Sequence, residues 1–140
     1  MELDPRGQRF AASITSVVII LVLVTRSPWL ALAQTAVFAL TATNPRRGPY
    51  ALLFRQFVLP HVGPPAEREP AAPVRFAQTV GLAFLGAATI AFFAGAPVVG
   101  LIFAGLGLVA AFLNAAFGLC LGCEAYLALR RLTAARNSAA

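Results

Sequence analysis

The side chains in this sequence with the clearest capacity for chemistry are two cysteines, in the string Gly118-Leu119-Cys120-Leu121-Gly122-Cys123. A Cys-x-x-Cys spacing lets two sulfurs form a disulfide, share a persulfide or supply half of a metal site. On a helix the two lie on one face, about 60° apart, with α-carbons close enough to be bridged under some strain. Cysteine is also a small hydrophobe that packs well between apolar helices, so the same spacing fits a purely structural role. A zinc site would need further ligands. His61 is the only histidine and nothing in the spacing brings it to the cysteines, so neither a metal nor a cofactor is expected. The sequence carries no catalytic triad, phosphate-binding loop or dinucleotide fingerprint.

Four neighbours bear on how Cys120 and Cys123 would behave, and two amides elsewhere stand out. If the helix carrying them runs on unbroken, its C-terminal dipole opposes a thiolate, and Glu124, four residues after Cys120, adds to that. If it breaks at Gly118 or Gly122, Cys120 begins a new helix and gains the N-terminal stabilisation of reactive thiols. Arg130, seven residues beyond Cys123, would then be a supporting cation. Gly118 and Gly122 also form a Gly-x-x-x-Gly pair, the spacing that lets membrane helices approach closely. Asn114 is an amide deep in an apolar run, and Gln78 sits just inside another; such groups serve either interhelical hydrogen bonds or function.

The elements that hold these residues are apolar. Of 140 residues, 59% are hydrophobic and 11% charged, against about 25% charged in a soluble domain. From Phe76 to Cys123, 48 consecutive residues lack Asp, Glu, Lys and Arg, which excludes an ordinary soluble enzyme, a disordered chain and a secreted disulfide scaffold. Asp4-Pro5 reads as a helix start. The pattern predicts spans over about 8–25, 29–43, 75–94 and 98–122, with turns at Arg26-Ser27-Pro28 and Gly95-Ala96-Pro97 and Trp29 as an interface anchor. Residues 44–74 form a polar loop holding most of the prolines. Within it Tyr50, Phe54 and Phe57 recur at i, i+4 and i+7, the mark of a short helix in the membrane interface or capping the bundle. Glu67 and Glu69 with Arg68 and Arg75 read as weak loop ion pairs, and 124–140 reads as an amphipathic helical tail.

All eleven basic residues are arginine, and the net charge is +6. They bracket the apolar stretches instead of forming one basic face, which argues against nucleic acid as a partner. Ten of the eleven lie in the N-terminus, the middle loop or the tail or at the span ends bordering them (Arg9 and Arg75), and only Arg26 in a hairpin turn, so the positive-inside rule places those three in the cytoplasm. No cleavable signal peptide is expected, because the first apolar stretch runs into a second without a small-x-small cleavage pattern.

Several separate strings, in order, carry a resemblance. They are Pro49-Tyr50, Leu53-Phe54-Arg55 and Pro60; then Glu69-Pro70, Pro73, Arg75-Phe76-Ala77-Gln78 and Gly81; then Leu113-Asn114, Gly118, Cys120-Leu121-Gly122-Cys123 and Tyr126. Together they resemble a bacterial family called domain of unknown function 4395, from Asp4-Pro5-Arg6 to the C-terminal helix. The resemblance implies a small membrane protein of the bacterial cytoplasmic membrane, with no particular activity. In size and hairpin plan such proteins are similar to four-helix membrane proteins of the DoxX and methylamine-utilisation E type, some linked to thiol or sulfur oxidation, a likeness of fold alone.

The expectation is an all-α, polytopic membrane protein: one domain over 1–140, with four transmembrane helices as two hairpins and an interfacial helix in the middle loop. Its leading function is a thiol/disulfide or sulfane-sulfur relay in which one cysteine attacks and the other resolves. A cytosolic thioredoxin-like or rhodanese-like protein would be its partner. The alternative is a non-enzymatic scaffold or assembly factor, in which cysteines and glycines serve packing, with homo-oligomers open to both. A small transporter is disfavoured, since no span carries a central charge.

Overall fold

The computed structural model describes residues 2–3, 5–45, 48–63, 69–118 and 120–139. The cap expected at Asp4 and the loop pair Glu67 and Arg68 lie outside them. The described chain is helical except for its turns and one two-residue antiparallel pairing of β1 (Glu2–Leu3) with β2 (Glu69–Pro70). That pairing ties the start of the chain to the lead-in of its third long helix.

Helix α1 spans Pro5–Thr25 and α2 spans Pro28–Thr43. Ser27 accepts a hydrogen bond from the Leu30 amide at 3.2 Å and Pro28 fills the first helical position, so the turn forms as its sequence demands. The middle segment winds through α3 (Pro49–Leu53), a π-helical stretch over Phe54–Val58 and α4 (Leu59–Val62). Helix α5 spans Ala71–Phe93 and α6 spans Pro97–Phe117, joined by a turn with Gly95 at φ 81°. The expected fourth span to residue 122 is too long. Gly118, at φ 68° and ψ 16°, closes α6 in the left-handed conformation, and a separate helix α7 runs over Leu121–Ala139.

Each of α1, α2, α5 and α6 packs on two of the others: α1 on α2 and α6, and α5 on α2 and α6. The result is an up-down-up-down bundle. At one end Trp29, starting α2, meets Phe93, ending α5, with ring centroids 5.2 Å apart. At the other end arginines close the helices. Arg9 donates to the carbonyls of Ala115 and Ala116 at the end of α6, at 3.2 and 3.4 Å. Arg75 donates through Nε to Ala42 O at the end of α2, at 3.0 Å, and Arg6 donates to Gly63 O at 2.8 Å. A guanidinium at a helix C-terminus meets both orphan carbonyls and the negative end of the dipole.

The bundle is apolar outside and partly polar within. Val17, Ile20, Val24, Ile90, Ile102 and Val109 are exposed, whereas Thr15, Ser16, Gln34 and Thr89 are buried beside a core of Ile19, Val22, Ala31, Phe38, Leu85, Ala88 and Ala104. The buried hydroxyls of Ser16 and Thr89 return to carbonyls one turn back, both at 2.7 Å. Among the described residues three helices are long and apolar enough to cross a membrane: Arg6–Thr25, Ala72–Phe93 and Pro97–Phe117. Helix α2, at 16 residues, is shorter, about 24 Å long at 1.5 Å per residue.

Candidate functional site

Gly118 sets the geometry of the cysteines. Its amide bonds Asn114 O at 3.0 Å, a left-handed closure that glycine adopts without steric cost. The chain then turns, and Cys120 stands at the N-cap of α7. Its carbonyl accepts the Glu124 amide at 3.0 Å and its sulfur accepts the Cys123 amide at 3.1 Å. Cys120 and Cys123 are joined as a disulfide, their α-carbons 5.2 Å apart. Of the two electrostatic alternatives open in the sequence, the structure has the break, so the sulfurs meet the positive end of α7. Glu124 accordingly falls in the first turn of that helix, where an acidic side chain favours the dipole.

Gly122 lets α7 sit on α5. A Cβ there would stand 2.6 Å from Ala77 Cα, so only glycine fits, and Cys123 packs beside Val74 of the same helix. Next along, the rings of Phe76 and Tyr126 lie 5.7 Å apart. Arg130 belongs to this stack and not to the cysteines. It donates to the Tyr126 hydroxyl at 3.3 Å and lies 5.9 Å from the ring centroid, about 10 Å of helix beyond Cys123. The cation that reaches the Gly118 turn is instead Arg9, whose side chain runs 3.9 Å from where a Gly118 Cβ would be.

A cavity of about 420 Å³ opens against the disulfide, lined by Cys120, Leu121 and Gly122 and by the adjoining halves of α1, α2, α5 and α6. Asn114 and Gln78 line it, joined by Gln8. Thr15 and Tyr50 also border it and connect through Gln34. The Tyr50 hydroxyl donates to Gln34 Oε1 at 2.6 Å, and Gln34 Nε2 reaches Thr15 Oγ1 at 3.5 Å. Burial pushes the Tyr50 hydroxyl above its ordinary range, so it remains a donor.

Tyr50 and Phe54 thus face the bundle, Phe54 buried against Phe10 at 5.7 Å, which is the capping arrangement. Phe57 breaks the expected pattern and is 63% exposed. The π stretch, with its Leu59 amide bonded to Phe54 O, winds more slowly than an α-helix and turns Phe57 outward. Gln8, Arg9 and Gln34 were not marked as site residues by sequence reasoning. Gln34 had a signal, being the one amide in the run 29–43. Arg9 had none, because its carbonyl partners lie more than a hundred residues away. His61 sits on α4, and among the described residues no three of His, Cys, Asp and Glu gather as a metal site.

No curated protein and no solved structure matches the chain. The family model described as Domain of unknown function (DUF4395) matches residues 3–131. With nearly the whole length covered, and with the cysteines, the Gly118 turn and the cavity all inside the match, the chain belongs to the DUF4395 family.

Proposed function

We propose that the protein is a thiol/disulfide relay of a bacterial cytoplasmic membrane, acting through Cys120 and Cys123. The observation that carries this reading is the seating of Cys120 at the N-cap of α7 with Cys123 in the first turn. The helix N-terminus favours negative charge on a sulfur released there, and both cysteine residues are half-buried. In the relay, a thiolate of a thioredoxin-like partner attacks the Cys120 sulfur and expels Cys123 as its thiolate. The partner's second thiolate then attacks the mixed disulfide and frees Cys120, leaving the partner oxidised and the pair reduced. With the pair reduced, the Cys120 thiolate would instead attack the outer sulfur of a rhodanese-like partner's persulfide, becoming a persulfide itself and expelling the partner's cysteine as its thiolate.

The placement that goes with this function has four spans, α1, α2, α5 and α6, with α2 completed by its interface residues. The arginine-bearing end, the middle segment and α7 face the cytoplasm. The apolar outer surface described above supports that placement, as does the clustering of Arg6, Arg9 and Arg75 at one end.

A Cys123→Ala variant tests the relay: its free Cys120 thiolate attacks the oxidised partner in the reverse exchange, or takes up sulfane sulfur, and in intact cells Cys120 should be found as a mixed disulfide or persulfide that a reductant releases. Absence of any adduct on Cys120 would sink it. The Gly122–Ala77 contact favours a second reading, a scaffold whose α7 must dock on α5. In that case the Cys120→Ala, Cys123→Ala double variant keeps its phenotype, while Gly122→Leu loses it.

A further inference from the structure

The cavity beside the disulfide has the size and the mixed lining of a small-molecule site. It reaches from Cys120 into the bundle between α1, α2, α5 and α6, and about 420 Å³ is within the range that holds a ring-sized molecule. Its walls include Val37, Phe38, Phe84 and Leu106. Set into them are the three amides Gln8, Gln78 and Asn114, none of whose side chains hydrogen-bonds a described residue. Polar groups set in an apolar wall without protein partners fix the orientation of a bound molecule. The fourth chemical feature of the wall is Cys120, whereas Cys123 packs beside Val74 on α5.

We propose that this cavity binds a quinone from the lipid phase, and that the quinone oxidises the Cys120–Cys123 dithiol to the disulfide. The proposal rests on the relay reading and names its second substrate. A relay whose pair is reduced by a partner needs a two-electron acceptor to reset it, and a bundle with an apolar exterior meets such acceptors in the bilayer. A quinone offers a flat apolar ring to the walls and two carbonyl oxygens to amide donors such as Gln78 and Asn114. The step balances. Two S–H bonds break and one S–S bond forms, two electrons pass to the ring, and the two protons convert its carbonyls to the hydroxyls of the quinol. Cys120, on the cavity wall and at the N-terminus of α7, is the sulfur that meets the ring, and Cys123 closes the disulfide behind it.

The test uses the full chain in lipid nanodiscs, reduced, freed of reductant and kept anaerobic, with decylubiquinone, whose fully substituted ring resists simple addition of thiols. One quinol should form per disulfide, and none with the Cys120→Ser, Cys123→Ser variant. That variant keeps the cavity, so added quinone should still raise its unfolding temperature. Gln78→Leu and Asn114→Leu should each raise the KM for quinone about tenfold, as loss of one good hydrogen bond implies, and should diminish the thermal shift when placed in the serine background. Wild-type protein that exchanges disulfides with a thioredoxin yet neither reduces nor binds the quinone would overturn the quinone proposal and leave the relay standing. Failure of thioredoxin exchange as well would remove the relay itself. Quinone reduction indifferent to both amide replacements would overturn the cavity as its site.

Discussion

Gln34 is 1% exposed in the interior of a helix bundle, and its place there depends on Tyr50 and Thr15. The Tyr50 hydroxyl, kept protonated by burial, supplies the shorter of the two bonds at 2.6 Å. Tyr50→Phe leaves the Gln34 carbonyl oxygen without this donor and should lower stability by about 1 kcal/mol, read as a drop in unfolding temperature in detergent. Adding Gln34→Leu removes both partners together, so the double variant should lose less than the sum of the two single changes. At the same scale one hydrogen bond, from the Cys123 amide to the Cys120 sulfur at 3.1 Å, would favour negative charge on that sulfur in the proposed relay.

Among the elements, the decisive one is the break between α6 and α7. Gly118→Val places a branched residue at φ 68°, which should cost about 1–2 kcal/mol and favour continuation of α6 into the cysteines. Cys120 would then exchange the N-cap of one helix for the last turn of another. The expected outcome is slower reaction of the reduced pair with iodoacetamide at neutral pH, with the helical signal in circular dichroism retained. Much at this scale was legible beforehand. The apolar runs located α1, α2 and α5, and Ser27-Pro28 and Gly95 marked both hairpin turns, because caps and turns are short-range chemistry. The end of α6 was not legible, since Gly118 and Gly122 suit a packed helix and a broken one equally well. Packing decides between them, Gly122 being pressed on Ala77. The cysteines could be read as a pair from spacing alone. Their cavity could not, because Gln8, Gln78 and Asn114 meet only when α1, α5 and α6 do.

At the scale of the whole molecule the outer surface departs from a soluble protein's, with Ile90 and Ile102 outside while Gln34 and Thr89 sit inside beside the apolar core. If the arginine end faces the cytoplasm, a cysteine placed at Ala96 in the Cys120→Ala, Cys123→Ala background should react with a membrane-impermeant maleimide in intact cells. One placed at Ala134 should react only after the membrane is opened. The opposite pattern would invert the topology. Helix α7 gives this layout a mechanical side. Its 19 residues make a rod of about 28 Å, anchored near one end by Gly122 on Ala77 and by Tyr126 on Phe76, with Arg130, Arg131 and Arg136 exposed further along. By simple leverage, a tilt of about 10° at the Gly118 pivot sweeps the far tip through about 5 Å. The cysteine pair lies beside that pivot, so a change of geometry on breaking the bond between the two sulfurs would be felt most at the far tip of α7.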